Sequence, residues 1–548
     1  MDIQQGRQVN RWAVVTVISL GLFMTLLDLT IVNIAIPSIV DGLKASLDQV
    51  LWVLNAYSLV YAVLLITSGR LGDIFGPRNL FAAGITIFTV ASAASGLAQD
   101  PTQLILARAA QGLGAALIAP QGLPIMVSLF PPERRAGVFA IFGVLAGLAV
   151  VAGPTLGGFI VTHFGWQWIF YVNLPLGLAT LVAAFVVIPD MRPGRKHRLD
   201  LLGVLLATAG LLGVVFGLIE GQRYDWGKVT GFVTIPEIIG AGVLLLIVFG
   251  ISQAVRQDRE PLLPFAVFKD RNYSLMTLVL GAMGFAILGL YLPLTIFYQS
   301  VLGLSAMDAG LVIAAQPIAM VLASGFTNTL AARAGGKYLV IPGLVLFAAG
   351  SAYIDWVAHV DASRWTFVPG LIVSGLGLSA VWGPVYAIAT RDLKPHLAGV
   401  ASGVLNTIQE LGAVIASATV GALLQNRLAA ALHDQAVTYS AQLPEQFRSS
   451  FVDGFSSAAR NGLEVGAGQT GGSPQLPPGV PSQVVLQLQH LAHEVFTHAF
   501  VSAMRPTLLL PIAIVLVAAI SCFTVRNRSL AAEAPEAEAE AAEASPAA

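Results

Sequence analysis

Apolar runs long enough to cross a lipid bilayer recur along the whole chain, with short polar segments between them. A helix needs roughly 20 apolar residues to cross a hydrocarbon core of about 30 Å. We therefore expect an all-α polytopic membrane protein. The runs predict fourteen transmembrane helices, at about residues 12–36, 50–68, 79–98, 103–127, 137–160, 167–188, 200–220, 234–254, 273–298, 309–331, 338–357, 366–389, 398–424 and 504–525.

The Lys and Arg residues in the loops indicate how the helices are oriented. If the N-terminus is inside, most of the 29 basic residues fall in cytoplasmic segments, as the positive-inside rule requires. We therefore expect both termini to be cytoplasmic and the protein to lie in the cell (inner) membrane. The first apolar run is too long for a signal peptide, so we interpret it as the first retained span.

A weak internal repeat suggests two related halves. Gln111–Gly114 (Gln-Gly-Leu-Gly) lies on the fourth predicted helix and Ser374–Gly377 (Ser-Gly-Leu-Gly) on the twelfth, while Ala-Gly-Val opens both the fifth and the thirteenth helix. Helices seven and eight then form an insertion between two six-helix pseudo-repeats. The predicted organisation is an N-terminal six-helix bundle (1–190), basic linkers with two inserted helices (191–272), a C-terminal six-helix bundle (273–528) with a long outer loop (428–503), and a disordered acidic tail (529–548).

The composition narrows the classes of function. Hydrophobic residues make up 56% of the chain and charged residues only 11%, and a net charge of −1 gives no sign of a nucleic-acid partner. One cysteine excludes an intrachain disulfide. No phosphate-binding loop and no hydrolase pattern is present, so we expect neither ATP hydrolysis nor an enzyme. His490, His493 and His498 are read as isolated surface histidines, and no metal is expected.

Two opposite charges lie inside predicted spans. At ~1.5 Å per residue, Asp28 is ~25 Å along its helix from Arg11, and Arg108 is ~8–10 Å below the outer surface. Charges in hydrocarbon are costly and indicate a functional site or a partner. We expect Asp28 and Arg108 to face each other, directly or through one polar residue, with Tyr57 at a matching depth as a candidate bridge. The open alternatives are an ion pair with only a structural role and an Asp28 that reaches water.

A third intramembrane charge, Glu410, lies near the middle of the thirteenth predicted helix. Asn406 shares its face at i, i+4. A carboxyl group in a low-dielectric cavity can exchange a proton near neutral pH and can attract a cationic substrate. The alternative is a permanently protonated Glu410 that is hydrogen-bonded between helices. Glu220 and Asp355 lie nearer helix ends and are read as interfacial.

Two glycine-rich segments are candidates for gating. Gly69–Arg78 links the second and third predicted helices, and Asp73 within it could cap the third helix or pair with a basic residue of a neighbouring cytoplasmic loop. Gly153–Gly158, with Pro154, lies late in the fifth helix, where Pro bends the helix and glycines allow close approach. A plain solvated turn and simple packing are the respective alternatives. The gating residues predicted here are Gly69, Asp73, Gly76, Arg78, Gly153, Pro154, Gly157 and Gly158.

Four motifs together resemble the major facilitator superfamily, in its fourteen-helix drug:proton antiporter class. They are Leu27–Pro37 on the first helix, Gly69–Arg78 in the second loop, Arg108–Ala116 on the fourth helix and Gly153–Gly158 on the fifth. The second-loop motif departs from the family pattern at Ile74 and Pro77, where basic residues are usual, and the fifth-helix motif has Ala149 in place of a glycine.

The resemblance implies proton-coupled export of hydrophobic, often cationic compounds, with no cofactor besides the proton gradient. Asp28 and Arg108 would then couple protonation to transport. Glu410 is a third candidate for proton coupling, chosen from its position in the sequence and not carried over from the family. Alternatives are an exporter of an endogenous lipid, siderophore or antibiotic, and a non-transporting membrane sensor or scaffold. Apart from the bilayer and a small hydrophobic substrate, a protein partner could bind the outer segment 428–503. The residues expected to bind substrate are Asn33, Tyr57, Gln111, Gln316, Asn406 and Gln409.

Overall fold

The protein is an almost entirely helical bundle in the computed structural model, which describes residues 10–45, 47–190, 200–221, 224, 226–257, 261–394, 397–460 and 482–525. Much of the basic linker 191–199, the middle of the predicted outer loop (461–481) and the acidic tail lie outside the described residues. The first half of the chain contains α1 (Arg11–Leu43), α2 (Leu47–Phe75), α3 (Pro77–Gly96), α4 (Pro101–Ile118), α5 (Gly122–Leu129), α6 (Pro132–Phe164), α7 (Trp168–Tyr171) and α8 (Asn173–Val187).

The remaining elements form the segment predicted as an insertion and the second half of the chain. Between the halves lie α9 (Leu201–Glu220), the antiparallel strands β1 (Lys228–Thr230) and β2 (Val233–Thr234), and α10 (Ile235–Val255). The second half contains α11 (Arg271–Ile296), α12 (Ala306–Ile313), α13 (Ala315–Ala334), α14 (Lys337–Val357), α15 (Val368–Ala389), α16 (Ala398–Ser440), α17 (Glu445–Arg460) and α18 (Ser482–Cys522).

Helices long and apolar enough to cross a membrane number thirteen within the described residues, one fewer than the fourteen predicted. The difference lies at α6, which covers the fifth predicted span. With 33 residues, α6 is longer than the ~20 residues that a span needs. The apolar segment found in it is shorter, however, and covers only Thr155–Phe164. The predicted all-α polytopic membrane fold is confirmed.

Polar side chains at the helix starts explain where several spans begin. Asn10 accepts hydrogen bonds from the backbone of Trp12 and Ala13 at 3.2 Å, and Asp100 accepts one from Gln103 at 2.9 Å. The first N–H groups of a helix have no partner within it, so these caps satisfy donors that would otherwise be left unpaired.

The same close helix approach occurs at corresponding places in the two halves. A Cβ added to Gly114 of α4 would lie 2.6 Å from the Phe88 nitrogen of α3, and one added to Gly377 of α15 would lie 2.5 Å from the Phe347 nitrogen of α14. Helices can pack this tightly in a membrane only where small residues face each other. The internal repeat read from the sequence therefore corresponds to a repeated packing geometry.

The inserted helices α9 and α10 pack against each other through glycines and lie beside α2 and α16. A Cβ on Gly242 of α10 would be 2.8 Å from the Gly210 oxygen of α9. Asp200 caps α9 by accepting from the Gly203 nitrogen at 3.0 Å, and it also accepts from Gln253 of α10 at 2.8 Å. One capping residue thus ties the two inserted helices together.

The predicted outer loop is largely helical. The thirteenth predicted span continues without a break as α16 to Ser440, and α18 begins at Ser482 and runs straight into the last span. Leu432, Phe451 and Val495 are buried where these extensions and α17 pack together. The extension therefore has an apolar core of its own.

A matched pair of glycine substitutions tests the close helix approaches. A Cβ on Gly112 of α4 would lie 2.5 Å from the Tyr57 backbone oxygen of α2, whereas one on Gly250 of α10 would meet nothing within 4 Å. We expect Gly112→Ala to destabilise the protein by about 1–3 kcal/mol through overpacking, and Gly250→Ala to leave the apparent melting temperature unchanged or higher. Thermal unfolding in detergent measures both. Equal effects of the two substitutions would contradict the packing described here.

Candidate functional site

The core of the candidate site is an ion pair that is completely buried in the first half. Asp28 lies on α1 and Arg108 on α4, and both are 0% exposed. The Nη1 group of Arg108 donates directly to Oδ2 of Asp28. Sequence analysis predicted that these residues face each other, and the structure brings them into direct contact. Two charges removed from water in this way require each other, because either alone would be an uncompensated buried charge.

Gln111 joins the two charges from one turn along α4. Its Nε2 donates to Oδ1 of Asp28 at 3.1 Å, and its Oε1 accepts from Nη1 of Arg108 at 2.9 Å. Nε of Arg108 also donates to the Val53 carbonyl of α2 at 3.2 Å. The amide of Gln111 matches one donor and one acceptor to the pair, which fixes its geometry. Gln111, which the sequence predicted to bind substrate, is fully buried within the ion-pair network.

Tyr57 contacts the pair by its ring and not by its hydroxyl. The phenol donates to the Thr25 carbonyl of α1 at 3.2 Å. The guanidinium carbon of Arg108 lies 4.5 Å from the centre of the Tyr57 ring, a cation–π distance. The proposed hydrogen-bonded bridge through Tyr57 is therefore wrong, because Asp28 and Arg108 touch directly and leave no gap to bridge.

Asn173 completes the network and was missed in the sequence. Its Nδ2 donates to Oδ1 of Asp28 at 3.2 Å and to Oγ of Ser92 at 3.1 Å, and Asn173 is 1% exposed. It is the first residue of α8, where an Asn is ordinary as a helix-boundary residue. No local sequence pattern marks it, because Asp28 lies 145 positions away along the chain and only tertiary packing brings the two side chains together.

The second half holds an uncharged counterpart of this network. Tyr291 of α11 donates its hydroxyl to Oε1 of Gln316 on α13, and Nε2 of Gln316 donates to Oγ of Ser374 on α15 at 2.7 Å. Gly375 packs against the Gln316 backbone as Gly112 packs against that of Tyr57. In the repeat, Gln316 thus corresponds in position to Tyr57, and Ser374 corresponds to Gln111. Buried charge is present in one half of the repeat and replaced by neutral hydrogen bonds in the other.

Glu410 lies on α16, at the interface of the two halves. Its side chain is half-buried, and no residue in the described part of the chain forms an ion pair with it. On the same helix, Asn406 donates to the Ser402 carbonyl at 2.8 Å, and Gln409 accepts from the Tyr386 hydroxyl at 3.4 Å. Glu410 is therefore a carboxyl group without a fixed counter-ion, unlike Asp28.

Aromatic rings line the same interface. Tyr57 and Tyr61 of α2 stack with their centres 6.2 Å apart, and Tyr386 of α15 stacks on Phe139 of α6 at 5.2 Å and on Trp382 at 6.2 Å. Tyr57 and Phe139 are buried, whereas Tyr61, Trp382 and Tyr386 are partly exposed. The flat apolar faces of these three rings suit planar hydrophobic molecules, and their negative potential suits cations.

Asp73 links the two halves at the predicted cytoplasmic side. Its two carboxylate oxygens accept from the backbone nitrogens of Gly399 and Val400 in the first turn of α16, both at 3.1 Å. Sequence analysis expected Asp73 to cap the third helix or to pair with a basic residue of a neighbouring loop. The contact is instead with the other half: Asp73 lies within the last turn of α2, and the N-cap position of α3 is occupied by Gly76. A carboxylate at a helix N-terminus is favourable.

A second contact between the halves uses the opposite charge. Arg135, at the start of α6, donates to the Thr390 carbonyl at the C-terminal end of α15 at 2.6 Å, and to the Val127 and Phe130 carbonyls of the α5 end at 3.1 Å each. A cation at helix C-termini complements the anion at the α16 N-terminus. We call these two contacts, Asp73 with α16 and Arg135 with α15, the cytoplasmic latch.

The other predicted gating residues divide between the latch and local packing. Gly69 allows α2 to approach α16 closely at the latch, since a Cβ there would lie 2.5 Å from the Gly399 oxygen. Gly76 has φ 87°, which only glycine adopts easily, and it begins the turn into α3. Arg78 does not reach the latch, because it pairs with Asp190 of the same half at 2.9 Å.

The Gly153–Gly158 motif, predicted for the fifth span, lies on α6 and packs against α1. Gly153 faces Thr30, whose hydroxyl donates to the Ala149 carbonyl of α6 at 3.0 Å. Gly157 is buried and Gly158 has open space beside it. The side chains of Pro154 and Asn33 lie outside the described part of the chain. This segment packs α6 tightly on the helix that carries Asp28.

One interpretation of a charged residue is corrected by the fold. Glu220, read as interfacial, is 2% exposed, and its Oε1 accepts from Asn55 of α2 at 3.1 Å. The inserted helix α9 packs its end against α2 and so buries this carboxylate. Asp355 is half-buried at the end of α14. Among the described residues no cluster of three His, Cys, Asp or Glu side chains could hold a metal ion.

Comparison with known proteins agrees with this architecture. The chain matches the Major Facilitator Superfamily over residues 18–417, and it belongs to this family. The resemblance inferred from the four motifs is thereby confirmed, and members of the family are transporters rather than enzymes.

Individual relatives extend the comparison. The chain is 37% identical over 458 residues to an uncharacterised MFS-type transporter of Mycobacterium tuberculosis, covering 82% of this chain and 78% of that protein. It is 30% identical over 536 residues to the tetracenomycin C resistance and export protein of Streptomyces glaucescens, covering 97% and 94%. The crystal structure of the human organic anion transporter MFSD10 superposes with a TM-score of 0.56 at 14% identity, covering 93% and 100%, which shows the shared fold.

A double-mutant cycle tests whether the buried charges depend on each other. We expect Arg108→Gln to lower the apparent melting temperature strongly, because it leaves Asp28 buried and unpaired at a cost of about 3–5 kcal/mol. Adding Asp28→Asn should restore part of the loss, because the pair is then neutral. Thermal unfolding in detergent measures all four proteins. The exposed pair Asp308 and Arg364, 3.2 Å apart, is the control cycle and should show little coupling. Additive losses at the buried pair would contradict its mutual dependence.

Removing the latch carboxylate should open the predicted cytoplasmic side. With Cys522→Ser as background, a cysteine introduced as Ser402→Cys is buried on α16 and reports opening through its rate of maleimide labelling. Asp73→Ala loses a carboxylate at a helix N-terminus, a change of roughly 1–2 kcal/mol, so labelling should become about 5–30 times faster. Asp270→Ala, which removes the cap of α11 only, should leave the rate unchanged. An unchanged rate in Asp73→Ala would refute the latch.

Proposed function

We propose that this transporter is an antiporter that exports hydrophobic compounds, cations among them, in exchange for protons. The observation that supports the proposal best is the buried ion pair of Asp28 and Arg108. An ion pair this deep is weak evidence of stability, because well-packed apolar residues would stabilise a protein as well. A charge that is retained there despite its cost is accounted for if it gains and loses a proton during transport.

The coupling would work through the balance of the buried charges. Protonation of Asp28 leaves the guanidinium of Arg108 without a counter-charge, and α1 and α4 then gain from a rearrangement that reaches a new partner or water. Substrate binding favours the state with ionised Asp28, and proton binding favours the other. A ligand can shift such an equilibrium only by its difference in affinity for the two states. Proton and substrate therefore shift the pair in opposite directions, so that binding of one favours release of the other.

Glu410 would be a second protonation site and the substrate-facing one. It lacks a fixed counter-ion among the described residues and lies beside Tyr61, Tyr386 and Gln409. We propose that its carboxylate attracts cationic substrates while the rings accommodate their apolar parts. Asn406, Gln409 and Gln316 would supply neutral hydrogen bonds, whereas Gln111 and Tyr57 would act on the ion pair.

The cytoplasmic latch would set the direction of access. With the latch formed, α2 and α16 close the predicted cytoplasmic side, and breaking it would allow substrate to enter from that side. The proposal places the protein in the inner membrane with both termini in the cytoplasm, driven by the proton gradient without another cofactor. It also leaves the helical outer extension as a surface for a protein partner.

A second candidate keeps the mechanism and changes the cargo. A relative from Streptomyces with 94% of its length matched is named for tetracenomycin C resistance and export. An exported antibiotic or another endogenous hydrophobic product would use the aromatic interface in the same way. A neutral polycyclic cargo would bind independently of the charge on Glu410, and that distinguishes the two candidates.

The exchange can be measured in proteoliposomes with a pH-sensitive dye inside. Wild-type protein should move protons when a lipophilic cation such as tetraphenylphosphonium or a planar aromatic antibiotic is added. Asp28→Asn should abolish this movement, because no proton can be carried at that position. Asp308→Asn changes an exposed carboxylate in the same way and is the matched control, which should retain full exchange.

Glu410→Gln separates the two cargo classes in the same assay. If the carboxylate attracts cations, this variant should lose exchange with tetraphenylphosphonium by about tenfold or more, the effect of roughly 1.4 kcal/mol. Exchange with a neutral aromatic compound should persist. Full proton-coupled exchange in Asp28→Asn, or no proton movement in the wild type with any compound of the panel, would overturn the proposed function.

A further inference from the structure

Among the polar atoms around Asp28, one acceptor has no partner. Oδ1 of Asn173 is buried and accepts no hydrogen bond from any residue in the described part of the chain. The amide nitrogen of the same side chain is fully used by Asp28 and Ser92. Buried polar atoms are almost always paired, so an unpaired one beside a buried charge calls for an explanation.

The other neighbours of the Asp28 carboxylate suit only its ionised form. Arg108, Gln111 and Asn173 all present N–H donors to it. Among the side chains that donate to Asp28, Gln111 also carries an oxygen, but its Oε1 already accepts from Arg108 at 2.9 Å and from the Ser95 hydroxyl at 3.1 Å. A protonated carboxyl group carries an O–H donor, which would here face N–H donors and find no free acceptor.

Asn173 can resolve this conflict with a single rotation. Turning its amide by half a turn exchanges Nδ2 and Oδ1, so that the oxygen faces the carboxyl group and accepts its proton. Ser92, whose hydroxyl now donates to the Phe170 carbonyl at 2.9 Å, can turn to donate to the rotated amide. The rotation needs no backbone movement. It pairs the O–H donor with the oxygen that had no partner, while Nδ2 gives up its bonds to Asp28 and Ser92 and moves to the site that the oxygen leaves.

We propose that Asn173 is a positioning residue that reads the protonation state of Asp28, donating to the carboxylate and, after its amide rotates, accepting from the neutral acid. This inference rests on the proposed function in one respect, namely that Asp28 takes up a proton. It goes beyond that function by assigning the partner of the proton.

The surroundings contain few other groups that could take the proton. The charged or titratable side chains facing this region are Arg108 of α4, Tyr57 of α2 and Tyr171 of α7, with Tyr61 and Glu410 farther out. The stretches of α3, α6 and α8 that pack on α1 carry no charged residue in their membrane portions. Arg108 is a donor only, and the Tyr57 hydroxyl is directed to Thr25.

Infrared difference spectroscopy during a pH titration of the reconstituted protein tests the assignment. The carbonyl band of a protonated carboxyl group lies at lower frequency when its O–H is hydrogen-bonded. The band of Asp28 is identified by its loss in Asp28→Asn. We expect the wild-type band at the hydrogen-bonded position, and a shift to the free position in Asn173→Leu, which has a similar shape but no acceptor. Asn173→Leu removes a hydrogen bond from the ionised and from the protonated form of Asp28, so its effect on the pH of titration is ambiguous. The position of the carbonyl band is therefore the readout.

Controls keep the outcomes separate. Thr180→Val removes a buried hydroxyl from the same helix that bonds only to the Leu176 carbonyl at 2.7 Å, and it should leave the band in place. Asn173→Ser, which is too short to reach Asp28, should shift the band as Asn173→Leu does and serves if the latter does not fold. If the wild type has no Asp28 band at any pH, the proposed function fails. If the band is present but free in the wild type, or unmoved in the Asn173 variants, this inference fails and the proposed function stands.

Discussion

The structure depends on one constraint, which is that Asp28 and Arg108 are buried together where neither can be buried alone. The direct contact between them fixes the distance between α1 and α4. Gln111, Tyr57, Val53 and Asn173 then satisfy or face the remaining atoms of the pair. Because a buried ion pair must be matched atom by atom, this part of the bundle has little freedom while both charges are present. Removing one charge by protonation is therefore a local event with consequences for the whole first half.

The two halves share a geometry but not a chemistry. Glycines of α4 and α15 bring neighbouring helices to the same close approach, yet the second half has the neutral chain of Tyr291, Gln316 and Ser374 where the first has charges. A pair of halves that move against each other needs only one of them to respond to protons. The second half can then remain constant across pH, and Glu410, at the interface, can face the substrate. The latch adds charges of both signs at helix ends, where each complements the helix dipole.

The sequence could predict those residues whose role is visible in a short stretch of the chain. Asp28, Arg108 and Glu410 stand out because a charge in an apolar run is visible without any tertiary knowledge, and helical rise places the first two at similar depth. Asn173 could not be found this way, since an Asn at a helix start is common and its partner is 145 positions away. The partner of Asp73 lies in the other half, and Glu220 is buried only because α9 packs on α2. Long-range packing of this kind is absent from periodicity and motifs.

The measurement that tests the central claim most directly is proton release on substrate binding, recorded with purified protein in weakly buffered detergent solution. If proton and substrate compete through the buried pair, adding substrate to the wild type at a pH where Asp28 is partly protonated should acidify the solution. The same addition to Asp28→Asn should release fewer protons, with any remainder assigned to Glu410. Substrate binding to the wild type without any proton release, at every pH at which the protein is folded, would contradict the account.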